Sequence, residues 1–124
     1  MIDLKPLRST LNEGYDAFIR LVGANGANPT NSIAPGVTVT RTGEGAYRAT
    51  WSESPGNYRG VKGFSFEAAT PADLAGYTVV FDTWDATNKR LDFVIYNSSF
   101  AAADIIADQY FCVTVAFAFT GMST

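Results

Sequence analysis

Twelve acidic side chains and no histidine define the chemistry open to this 124-residue chain. Without histidine there is no imidazole general base, no usual zinc ligand and no Ser-His-Asp arrangement. The single cysteine, Cys112, likewise has no imidazole partner to make it a nucleophile. Paired carboxylates remain. A glycosidase holds two of them about 5–10 Å apart across a groove. Asp82 and Asp92 would face each other across a hairpin of residues 77–97, with Glu53 or Glu67 nearby. Twelve acids spread over 124 positions produce such pairs by chance, however, so the expectation is a protein that is not an enzyme. The run Asp82-Thr-Trp-Asp85-Ala-Thr-Asn88 offers oxygen ligands near one turn. Calcium takes roughly six to eight oxygens, and the glycine and closing glutamate of a calcium loop are missing, so a polar turn is expected. No GxxxxGK[ST] loop and no helix-opening GxGxxG occurs. No catalytic residue, metal or cofactor is expected.

Aromatic side chains are the other chemically informative group: nine Phe, six Tyr and two Trp. Trp51, Tyr58 and Trp84 could form a platform on which a sugar ring stacks. The competing assignment, core or rim packing, is the commoner fate of such rings. The net charge of −3 and the absence of any block of Lys or Arg argue against a phosphate-tracking face, so no nucleic-acid partner is expected. No apolar run is long enough to cross a bilayer as a helix, and no membrane partner is expected. The opening MIDLKPLRSTLNEG lacks the apolar stretch of a signal peptide, which points to synthesis and folding in a cytoplasm. Cys112 falls in an apolar strand, where a thiol is buried and inert.

The elements that would position these groups are strands. Residues 1–14 read as an N-terminal arm with Ile2, Leu4, Leu7 and Leu11 apolar and Pro6 blocking a continuous helix. Such an arm either docks on its own domain or reaches onto a neighbour. Residues 15–124 read as one β-sandwich domain. Strands are expected at 15–22, 37–42, 46–52, 61–67, 77–84, 90–97 and 110–120. Gly43-Glu44-Gly45 makes a hairpin between the second and third. Residues 23–36 and 54–60 read as loops. Residues 71–76 read as one helical turn capped by Thr70, opened by Pro71 and ended by Gly76. Residues 101–108 carry alanines that favour helix but lie between strands. The final strand is apolar on both faces, with Phe111, Phe117 and Phe119 on one of them. A strand apolar on both sides is covered on both sides, which in a two-sheet sandwich implies a subunit interface.

Three segments carry a resemblance: VTVTRTGEGAYRATW at 37–51, DFVIYN at 92–97 and YFCVTVAFAFTG at 110–121. Together they resemble small jelly-roll proteins of tailed bacteriophages, in particular capsid decoration (cement) proteins. The hairpin is also similar to that of C1q/TNF-like jelly rolls of phage fibres. The resemblance covers roughly residues 37–121 and brings no catalytic or ligand residue with it. It implies a jelly-roll-like antiparallel β-sandwich of about seven or eight strands with an N-terminal arm. It also implies a virion structural protein, a homotrimer on the capsid surface that binds the major capsid protein and stabilises the shell after assembly in the host cytoplasm. Ile2, Leu4, Leu7, Leu11, Phe111, Phe117 and Phe119 are then the expected interface residues. The alternative is a phage fibre or tail module that binds a receptor or carbohydrate through Trp51, Tyr58 and Trp84.

Overall fold

The computed structural model describes residues 14–118; the expected contact residues Ile2, Leu4, Leu7, Leu11 and Phe119 lie outside them. Alternation of apolar and polar side chains organises the described chain, because successive residues of a strand point to opposite faces. In β1 (Tyr15–Val22) Ala17, Ile19 and Leu21 are buried while Asp16 and Phe18 are exposed. The remaining strands are β2 (Thr30–Asn31), β3 (Val37–Gly43), β4 (Ala46–Trp51), β5 (Asn57–Ala68), β6 (Thr78–Phe81), β7 (Arg90–Tyr96) and β8 (Gln109–Ala118). They form two four-stranded sheets in the orders β2-β1-β8-β5 and β3-β4-β7-β6, antiparallel throughout. This is a two-sheet β-sandwich, as the strand spacing implies.

The core lies between the sheets. Ile19, Leu21, Phe111, Val113, Val115 and Phe117 come from the first sheet, and Tyr47, Trp51, Leu91, Phe93 and Ile95 from the second. Phe111, Val115 and Phe117 are wholly inaccessible to solvent. The edge between β5 and β6 is closed by rings: Phe66 packs on Tyr77 at 6.1 Å and Phe64 on Phe81 at 6.4 Å between centroids. These contacts join one sheet to the other.

The β3–β4 hairpin turns where the sequence places it. Gly43 pairs with Ala46, and Gly45 takes a φ of +69° that a side chain would resist. A Cβ at Gly45 would also lie 2.4 Å from the Ala103 backbone nitrogen, so the turn is packed under residues 101–108. Those residues are neither helix nor strand. They cross the end of the sandwich with one isolated bridge, Tyr96 to Ala102, and bury Ile105.

The two-residue strand β2 lies inside the expected 23–36 loop, and three further elements differ from expectation for identifiable reasons. Strand β5 starts at Asn57, inside the expected 54–60 loop, and sets twelve residues against ten of β8. The register shifts at Arg59 and at Lys62 are two bulges, which break the period-two pattern by which a strand is read. Strand β6 stops at Phe81, so Asp82, Thr83 and Trp84 leave the regular ladder although the Asp82 N–H still donates to the Asp92 carbonyl at 2.8 Å. The helical turn is a 3-10 turn, Pro71–Leu74. Thr70 caps it through its carbonyl, which accepts from Asp73 N–H at 3.0 Å, and its hydroxyl makes no capping bond.

Candidate functional site

The acidic pair is the first arrangement to test. Asp82, just past β6, and Asp92 on β7 are neighbours, as the hairpin requires, but both Asp92 oxygens and one Asp82 oxygen are bonded elsewhere. Arg48 on β4 donates from Nε and Nη2 to the two Asp92 oxygens at 2.8 and 3.0 Å, a bidentate cross-strand pair. The Asp82 Oδ1 accepts from Thr83 N–H at 2.7 Å. Glu67 lies in the other sheet and accepts from Arg20 at 3.1 Å. A general acid needs a carboxyl held above its ordinary value. The displaced carboxyls move the other way: hydrogen bonds from Asn88 hold Asp85 low, and Asp104 is also lowered.

The turn after β6 uses its oxygens internally. Asp85 accepts from Asn88 N–H at 3.0 Å and Asn88 Nδ2 at 2.8 Å, and pairs with Arg90 at 3.2 Å. Among the described residues no three His, Cys, Asp or Glu side chains converge on a point that could hold a metal. Cys112 is 5% exposed on the outward face of β8, and burial pushes its thiol up, with Glu67 adding to the effect. A thiol held in that direction carries little thiolate.

One polar cluster escapes sequence reading altogether. Asp104 Oδ1 accepts from Arg41 Nε at 2.9 Å, Gly45 N–H at 2.8 Å and Tyr47 OH at 3.1 Å. The Tyr47 oxygen in turn accepts from Ile105 N–H at 3.1 Å. Burial drives the Tyr47 hydroxyl far above its ordinary value, so it remains a proton donor. Desolvation works to raise Asp104, but the bonds from Arg41, Gly45 and Tyr47 together outweigh it and hold the carboxyl low. The cluster is a clasp that fixes residues 101–108 over the hairpin. Its bonds span 57 to 63 positions of sequence, and no local motif joins their two ends.

The aromatic trio is brought together. Trp51 and Trp84 meet edge to face at 5.2 Å, and Tyr58 and Trp84 lie nearly parallel at 5.5 Å and 9°. The roles divide by depth. Trp51 is buried and belongs to the core, the commoner fate weighed for it, and so takes no part in the alternative stacking platform. Tyr58 and Trp84 are half-buried and line a groove of about 540 Å³ together with Asn57, Asp82 and Thr83. Phe117 supports both rings from behind, at 6.0 and 5.3 Å.

The two-faced last strand resolves in the same way. Phe111 and Phe117, expected at an interface, point between the sheets and are fully buried within the single chain, which corrects that expectation. The larger side chains of β8 fill the core, and its outward face carries Tyr110, Cys112, Thr114 and Ala116. Across the ladder on that face, Phe18 and Gly63 flank Thr114, and Asp16 and Gly60 flank Ala116. Phe18 is 43% exposed. Two charge pairs lie on this face, Lys62 with Asp16 at 2.9 Å and Arg20 with Glu67 at 3.1 Å; the Arg20 guanidinium lies 3.9 Å over the Tyr110 ring, and Arg59 lines the same hollow as Asp16, Lys62 and Ala116. No protein family matches the chain, and neither any curated protein nor any solved structure is similar to it.

Proposed function

We propose that this chain is a capsid decoration protein of a tailed bacteriophage: a structural subunit that trimerises on the capsid surface, clamps neighbouring major capsid proteins and stabilises the shell. The observation that carries the reading is the outward face of β1, β8 and β5. Its centre is built from Thr114, Ala116, Gly60 and Gly63, with Phe18 standing exposed beside them. Such a face is low enough for another protein surface to approach closely, and four of its charges are neutralised in two pairs. A specific interface buries roughly 1,600 Å² in total, and many symmetric copies add their contacts around a shell.

A jelly-roll reading of the sandwich agrees with this function. The first strand pairs with the last, and β4, in the opposite sheet, pairs with β7. The remaining pairings include the plain hairpins β1–β2, β3–β4 and β6–β7, each within one sheet, so the jelly-roll reading rests on those two pairs. Nucleic acid and membrane are not partners in this proposal, and the site of action is the virion.

The test is solution mass by light scattering, followed by co-sedimentation with capsid shells. The expected result is a trimer that sediments with shells, and a Phe18→Asp variant that stays folded by circular dichroism but falls to monomer. A wild-type monomer that ignores shells overturns the proposal.

A further inference from the structure

The groove between the start of β5 and the segment after β6 lies on different residues from the proposed interface. We propose that it binds a neutral glycan, with a pyranose ring against Tyr58 and Trp84. A sugar ring offers apolar C–H faces and a girdle of hydroxyls, so it needs aromatic faces next to hydrogen-bonding side chains. Both are present. The two rings stack on one another, half-buried and held by Phe117, while Trp51 packs edge-on against Trp84, so a ligand would meet the solvent-facing side of the stacked pair. They are therefore set in position before any ligand arrives, which reduces the ordering cost of binding.

The polar part of the wall selects the ligand class. Asp82 spends Oδ1 on Thr83 N–H, which orients the carboxylate, and its second oxygen can accept sugar hydroxyls. Asn57 is exposed at the head of β5 and presents an amide that both donates and accepts. The groove, of about 540 Å³, falls within the usual range for small-ligand sites. Among the described residues no Lys or Arg lines it, and one carboxylate does. Sialylated, sulfated and phosphorylated ligands are disfavoured by that charge, and so is a stacked nucleotide, whose phosphate needs a cation. Neutral hexose and N-acetylhexosamine oligosaccharides remain.

This site does not depend on the capsid reading, and the two fail separately. The experiment is a glycan array probed with the full chain, followed by titration of the strongest neutral oligosaccharide using tryptophan emission and calorimetry. The expected result is a preference for neutral over acidic glycans and a change in emission on binding. Tyr58→Ala should weaken affinity by about tenfold or more, as loss of a central aromatic contact does. Trp84→Ala also removes packing, so Asp82→Asn and Asn57→Ala provide the test that leaves the core intact; each should weaken affinity by about threefold or more with an unchanged circular dichroism spectrum. Three results overturn the proposal: no neutral glycan bound at about 10 mM, a preference for acidic glycans, or affinity unchanged in Asp82→Asn, Asn57→Ala and Tyr58→Ala alike.

Discussion

Asp104 shows how one carboxylate can hold a segment that has no regular structure. Its Oδ1 collects three donors, from Arg41, Gly45 and Tyr47. Asp104→Ala leaves the Tyr47 hydroxyl and the Gly45 N–H without that acceptor, and a cost of about 2–3 kcal/mol is expected in urea unfolding. The pH dependence follows from the direction of the shift. A carboxyl lowered in the folded state adds stability above its unfolded value of about 3.9, and that stability is lost as pH falls through the lower folded value. Wild type should therefore lose stability below about pH 4, and Asp104→Asn should lose less over the same range. An identical acid profile for the two proteins would show that Asp104 does not contribute. None of this could be read from the sequence, where Asp104 is one acid in an alanine-rich stretch.

At the scale of the element, β5 is the informative strand. It is a long sheet edge, and a long flat edge invites pairing with other chains. Two bulges, with Arg59 and Lys62 at the register shifts, break that flatness. Gly60 lies between them with a φ of +127°, and a Cβ there would meet nothing within 4 Å. Gly60→Val is therefore disfavoured by backbone conformation alone, at about 1–3 kcal/mol. Its thermal midpoint should fall and its tendency to aggregate should rise, measured by scanning calorimetry and by light scattering on heating. The same bulges explain why 54–60 reads as a loop: period-two alternation identifies β1, β3, β4 and β7, but two inserted residues scramble it in β5. Likewise β6 reads too long, because Thr83 and Trp84 have strand-like side chains but leave the ladder to build the groove.

At the scale of the molecule, the sandwich assigns each face of β8 an inside and an outside. Phe117 contacts Tyr15, Trp51, Tyr58 and Trp84, tying the two sheets together at one end. Phe117→Ala should destabilise the isolated subunit by about 3–5 kcal/mol, the range for removing a buried aromatic. The loss should be the same at low and high protein concentration. A loss that grows with concentration would return Phe117 to an interface. Phe18→Asp, on the opposite side of the same sheet, should show the reverse pattern, with little effect on a dilute subunit and a large one on assembly.

Residue order alone sufficed for the all-β class, the β3–β4 hairpin, the strand positions where alternation is unbroken, and the shared face of Phe111, Val113, Val115 and Phe117. All of these rest on short-range regularities: the two-residue period of a strand and the backbone freedom of glycine in a turn. It also singled out Trp51, Tyr58 and Trp84 by residue type alone. Tertiary structure decided the rest. It buried Trp51 and left Tyr58 and Trp84 at a groove, it turned the heavier face of β8 inward because only that face fills the space between the sheets, and it joined Arg41, Tyr47 and Asp104 across some sixty residues. The energy of those choices lies in contacts between strands remote in sequence, and such contacts leave no periodic trace in the order of the residues.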